Sequence, residues 1–156
     1  MTVLDLGANI GYFSVIAAAL VKESGQVHAF EPMPQNLTYL RRNLAPFRWA
    51  MAQPYAVGNV TGEVPIHYSD KEAGWASIQG QHGLGNLPCN SVVSAIRLDD
   101  WLQSISINRI DFIKLDIEGS EFGCLTRRPA NVMSFSSHNC CGDQGRLAPR
   151  RNPSAA

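Results

Sequence analysis

The chain has 156 residues, 45% of them hydrophobic and 17% charged, a balance that suits one soluble globular domain with a packed core. Thirteen Lys and Arg match thirteen Asp and Glu, so no net field gathers nucleic acid or an anionic membrane, and neither is expected as a partner. The longest apolar stretch, Val15 to Val21, falls far short of the roughly 20 residues that a bilayer span needs, and no charged leader precedes a signal-like run; the expected location is cytoplasmic. Cys89, Cys124, Cys140 and Cys141 lack paired C-x-x-C spacing and read as unpaired thiols.

In chain order, Val3, Leu4 and Leu6 form a short apolar run ending at Gly7, after which Phe13, Ile16, Ala17 and Leu20 recur at helical spacing. Strand, glycine turn and helix are expected, with Gly25 ending the helix. Gln26 to Phe30 supply a second strand that runs into Glu31. Pro32 and Pro34 then lead into a second helix, with Leu37, Leu40 and Leu44 on one face and Arg41 and Arg42 off it. Strands joined through a helix lie parallel, in a sheet covered on both faces.

Further along, Tyr55 to Val57 is expected as a third strand, and Val64 to Tyr68 with Trp75 to Ile78 as an antiparallel excursion. Gly80 to Pro88 reads as loop and Ser91 to Leu98 as strand. Asp99 is a plausible N-cap for a short helix through Trp101 and Leu102. The last predicted strand carries Ile110, Phe112, Ile113 and Leu115 and ends in an acidic turn from Asp116 to Glu121. Open α/β sheets bind ligands beyond the carboxyl ends of their strands, so function is expected there. After Leu125 no apolar period persists, and residues 126–156 read as an atypical, disordered tail, with Arg127, Arg128, Arg146, Arg150 and Arg151 facing only Asp143.

The opening turn has Gly7 and Gly11 enclosing Ala8, Asn9 and Ile10. Against the dinucleotide fingerprint G-x-G-x-x-G, the middle glycine that admits a pyrophosphate is absent. Asp5, inside the strand, would repel a diphosphate and suits a cation; the alternative is a structural acceptor for loop N–H groups. Glu31, about 20 residues beyond the turn, stands where an acid meets ribose hydroxyls. For Asn9 the alternative to ligand contact is its tolerance of a left-handed backbone.

"DLGANIGYFS", "FEPMPQNLTYLRRNL", "AVGN", "WASI", "LDDWL" and "IDFIKLDIEGSE", taken in this order, resemble the FkbM-type S-adenosylmethionine-dependent methyltransferases over about residues 3–125. The resemblance implies an α/β, Rossmann-like methyltransferase sheet, mostly parallel and truncated at both ends. Its domain would occupy residues 1–125. S-adenosyl-L-methionine is the implied cofactor, with Asp5, Gly7, Ala8, Asn9 and Gly11 forming the turn, Glu31 holding the ribose and Val57 near the adenine. An ammonium and a sulfonium call for nearby acids, and a carboxylate for N–H groups at a helix start.

In the acidic turn, Lys114 and Asp116 share one face of a strand, opposite Ile113 and Leu115. A lysine on a covered strand needs a partner, for which Asp116 or Glu121 is the candidate. Glu118 and Glu121 read as dipole complements at a helix start or, less simply, as carboxylates sharing a divalent cation with Asp116. Aligning two reactants can supply roughly 7 to 11 kcal/mol, against about 3 to 5 kcal/mol from a general base, so positioning outweighs proton removal in methyl transfer. The resemblance implies O-methylation of a hydroxyl on a small molecule or glycan, with Asp116 as base or orienting group. The rival readings are a catalytically inactive cofactor-binding fragment and a nicotinamide-dependent oxidoreductase. Ending the domain near Leu125 would also leave the strand at Ile110 to Leu115 as an exposed apolar edge.

Overall fold

The computed structural model describes residues 1–68, 76–77, 81–82, 85–86, 89–105, 107, 109–117 and 135–137. In chain order these form β1 (Thr2–Leu6), α1 (Tyr12–Val21), β2 (Gln26–Phe30), α2 (Pro34–Leu44), β3 (Ala50–Gln53), β4 (Ala56–Gly58) and β5 (Gly62–Tyr68). There follow β6 (Ala76–Ser77), β7 (Gln81–His82), β8 (Gly85–Asn86), β9 (Cys89–Arg97), α3 (Leu98–Ser104), β10 (Phe112–Leu115) and β11 (Phe135–Ser137). The main sheet has the order β11-β10-β1-β2-β3, and every pairing in it is parallel. A second sheet, β4-β9-β5-β6, pairs β4 with β9 parallel and the rest antiparallel. The hairpin β7-β8 stands apart from both.

Strand alternation sorts β1 to opposite faces of the main sheet. Val3 packs with Val27 under Ala17, Ala18 and Val21 of α1, while Ala29 lies under Leu37, Leu40 and Leu44 of α2. Leu4, Leu6, Phe30, Ile113 and Leu115 face the other way, onto Leu98 and Trp101 of α3 and Val57 of β4. Trp101 meets Phe30 edge-on, with ring centroids 4.7 Å apart. Helices therefore cover both faces, and Leu4 and Leu6, fully buried, contribute on the order of 2 kcal/mol each from lost water contact. At the amino end of β1, Asp111 fixes the register of β10: Thr2 N–H donates to its Oδ2 at 2.7 Å, and Arg109 Nε donates to Oδ1 at 2.6 Å. The Thr2 amide and the Arg109 guanidinium hold the Asp111 carboxyl below its ordinary range.

Several expectations are corrected. The third strand of the main sheet is Ala50–Gln53, where no side chain is fully buried and no apolar period announces it; of the expected Tyr55 to Val57, only Ala56 and Val57 are strand, and they enter the second sheet in β4. Helix α1 ends at Val21, four residues before Gly25, with Lys22 at φ 57 as its cap. Gly25 is demanded by space, since a Cβ there would lie 2.6 Å from Val21 Cβ and 2.7 Å from the Met1 carbonyl oxygen. The buried face of α1 is Ser14, Ala17, Ala18 and Val21, leaving Ile16 and Leu20 exposed. In α3 the N-cap is Arg97, and Asp99 lies in the first turn. Part of the expected loop from Gly80 to Pro88 pairs as β7 and β8. The strand β10 is not an edge, because β11, from the segment expected to lack packed structure, pairs alongside it. Trp75 and Ile78 lie outside the described residues.

Candidate active site

The turn after β1 is held from below by the end of β2: Gly7 N–H and Ala8 N–H both donate to the Phe30 carbonyl, at 3.1 and 2.8 Å. Three consecutive reversals of backbone hand complete it, with Gly7 at φ 81, Asn9 at φ 53 and Gly11 at φ 90. Glycine is required at the first, because a Cβ on Gly7 would overlap the Asp116 carbonyl oxygen. The turn and the end of β10 are thus in backbone contact. Asn43 Nδ2 donates to the Ile10 carbonyl at 2.8 Å and pins the turn's outer limb to α2. Gly11 caps α1 with no side-chain hydrogen bond, so the helix start lacks the side-chain acceptor that usually occupies such N–H groups.

Glu31 follows β2 and is 5% exposed. Its Oε2 accepts from Asn9 N–H at 2.8 Å, and its Oε1 accepts from Met33 N–H at 3.0 Å and Asn36 Nδ2 at 3.3 Å. Burial pushes the Glu31 carboxyl above its ordinary value, against the pull of the Met33 and Asn9 amides and the Asn36 side chain. This side chain therefore joins the turn at Asn9 to the start of α2 at Met33 and Asn36.

Asp5 is wholly buried. Ser14 Oγ donates to its Oδ2 at 2.6 Å, and Lys114 Nζ donates to its Oδ1 at 3.0 Å. The register Asp5↔Lys114 across β1 and β10 sets this meeting. Lys114 Nζ also donates to the Gly7 carbonyl at 3.3 Å and stands 3.4 Å from Asp116 Oδ2. Removing one member of such a buried pair typically costs about 3 to 5 kcal/mol, since the other charge is left without compensation. With two carboxylates on one ammonium, the cluster carries one unbalanced negative charge, and it emerges at Asp116, whose side chain is 39% exposed against 13% for Lys114.

Asp5, Gly7, Ala8, Asn9, Gly11, Glu31 and Asp116 thus gather at the carboxyl end of the central strands. Val57 is buried in the core beside Leu6 and Trp101. The pairing of Lys114 with Asp116 was expected; its shorter contact with Asp5 was not, nor was the part of Ser14. Two charged residues on adjoining apolar strands, each in need of a partner, were the available signal. Glu118 and Glu121 lie outside the described residues, among which no cluster of three His, Cys, Asp or Glu could hold a metal ion.

A parallel sheet flanked by helices, with a glycine turn closing its central strand and an acid ending the next, defines a Rossmann-like α/β domain. The chain belongs to the FkbM methyltransferase family: the profile described as Methyltransferase FkbM domain matches residues 5–140. That span extends past Leu125, where the resemblance read from motifs stopped. The chain is 24% identical over 141 residues to Methyltransferase 1 of Beauveria bassiana (strain ARSEF 2860), covering 79% of this chain and 56% of that protein. It is 26% identical over 132 residues to 2-O-methyltransferase NoeI of Sinorhizobium fredii (strain NBRC 101917 / NGR234), covering 76% and 54%. The chain spans about half the length of these curated relatives. A solved structure described as a candidate rRNA-methylase from Clostridium thermocellum matches at a TM-score of 0.42 and 11% identity, covering 74% of this chain and 41% of that one. No helix among the described residues is long and apolar enough to cross a membrane.

Proposed function

We propose that this chain carries the cofactor half of an S-adenosylmethionine-dependent O-methyltransferase acting on a hydroxyl of a small molecule or glycan. The observation that carries the reading is the junction at Gly7, where Asn9 N–H ties the turn to the Glu31 carboxylate and the Gly7 backbone lies so close to the Asp116 carbonyl that no side chain fits between them. The residues present fit the cofactor: a turn too tight for a side chain at Gly7, an uncapped helix start, and acids at two strand ends match a ligand with two cationic groups, one carboxylate and a ribose. When bound, S-adenosylmethionine supplies a methyl group on a sulfonium, already an excellent leaving group.

The chain's own residues then have defined work. Gly7, Ala8, Asn9 and Gly11 bring backbone close to the ligand, and the first-turn N–H groups of α1 suit its carboxylate. Asn9, Met33 and Asn36 leave Glu31 a free acceptor position on Oε2, with which it would accept from a ribose hydroxyl. Asp116, half-exposed at the strand end, would orient the acceptor hydroxyl and take its proton, the methyl group being what the bound cofactor would supply. Asp5 acts from within, anchoring Lys114. Val57 belongs to this reading only as a wall for the adenine side. The 2-O-methyltransferase among the relatives supports oxygen as the acceptor atom.

Transfer of radiolabelled methyl from S-adenosylmethionine to a panel of hydroxylated small molecules and sugars tests the reading. Transfer that Asp116→Asn reduces about a hundredfold, within the range of a general base, is the expected result. Cofactor binding without transfer to any acceptor would favour the inactive module.

A further inference from the structure

Lys114 does more in this structure than neutralise Asp5. A counter-ion for that buried carboxylate would need one contact, and Ser14 already satisfies the other oxygen. The Lys114 ammonium instead faces three oxygens, as many as it has N–H donors: Asp5 Oδ1, the Gly7 carbonyl and Asp116 Oδ2. Those oxygens belong to the central strand, to the turn and to the end of β10. The stem is 13% exposed, and the Phe13 ring, its centroid 5.8 Å from Nζ, helps confine it. Asp5 is therefore the fixed end of the chain of contacts and Asp116 the exposed one.

We propose that Lys114 is a positioning residue, anchored by Asp5, whose ammonium bridges the Asp116 carboxylate and the Gly7 carbonyl so that cofactor turn and acceptor-side acid keep one arrangement. The proposal rests on the methyltransferase reading of the same site. Without Lys114, Asp116 is free to swing away from the turn under repulsion from Asp5, and the turn loses the donor on its Gly7 carbonyl. Asp116 then counts for little, although it is still present.

The test is a double-mutant cycle on Lys114→Met and Asp116→Asn, with Lys114→Arg as the conservative variant. S-adenosylhomocysteine affinity is read by calorimetry, kcat and KM by methyl transfer, and folding by circular dichroism. Lys114→Met is expected to lower kcat/KM at least about tenfold, the double variant to fall within about threefold of Asp116→Asn alone, and Lys114→Arg to recover much of the loss. Should Lys114→Met fail to fold, the cycle is run in Asp5→Asn, whose amide oxygen still accepts from Lys114 but leaves no buried carboxylate stranded when the lysine is removed; a purely structural Lys114 loses its effect on kcat/KM in that background, whereas a positioning Lys114 keeps it. Additive losses, or wild-type kcat/KM in Lys114→Met, overturn the proposal while leaving the cofactor reading intact. A wild-type chain that binds neither adenosyl ligand overturns both.

Discussion

Acidifying the protein from about pH 7.5 to pH 4 should destabilise it by way of His28, and the size of the effect follows from the geometry. His28 lies on β2 facing α3, 6% exposed, with its ring edge-on to Trp101 at 4.9 Å between centroids. Its Nδ1 has no hydrogen-bond partner, and Nε2 has only Gln26 Oε1 at 3.5 Å. Burial lowers its pKa from 6.5 to about 4. Between those values the unfolded chain binds a proton that the folded chain refuses, so stability rises with pH across this window and falls on acidification. At about 1.4 kcal/mol per unit the penalty approaches 3 kcal/mol by pH 4, a large share of the 5 to 15 kcal/mol typical of a whole domain. Glu31 works in the opposite sense: its raised pKa adds stability at low pH that is lost as pH rises through the folded value. Comparing wild type with His28→Leu cancels that contribution, because Glu31 is common to both. Urea unfolding at a series of pH values should show the wild type losing about 3 kcal/mol more than the variant between pH 7 and pH 4. Parallel curves for the two proteins would refute the reasoning.

The remaining predictions concern the turn and its acids. Gly7→Ala must displace the Asp116 backbone and adopt φ 81 with a side chain, so it should cost more than about 2 kcal/mol and lower the melting temperature by about 5 °C or more. Gly62→Ala, at φ 141 with open space around the added carbon, pays only backbone strain, and a calorimetric scan should rank it well above Gly7→Ala in stability. Glu31→Gln offers one acceptor oxygen where the carboxylate offers two, so Asn9 or Met33 N–H loses its acceptor. Adenosyl-ligand affinity should drop about 10- to 100-fold, the equivalent of one or two charge-assisted hydrogen bonds, as read by isothermal titration.

What the sequence made legible follows from how local each signal is. The strand-turn-helix at Val3 to Val21 and the Leu37, Leu40, Leu44 face of α2 rest on near neighbours, and both were readable. The buried face of α1 was not, because Tyr12 to Val21 is apolar nearly all round and only packing on Val3 and Val27 selects Ala17, Ala18 and Val21. β3 escaped notice for a related reason: Ala50 to Gln53 is half-buried throughout and takes its place by pairing with β2. In the site, Gly7 and Glu31 announced themselves by spacing along one chain segment. The Asp5–Lys114 contact joins residues 109 apart in sequence, and only the register of β10 on β1 brings it about.

Isothermal titration of the full chain with S-adenosylhomocysteine and, separately, with NADH bears most directly on what the opening turn was shaped to hold. Saturable one-to-one uptake of the adenosyl ligand, weakened in Glu31→Gln, with no heat from NADH, is the outcome expected. Saturable NADH binding in a chain indifferent to the adenosyl ligand would contradict it.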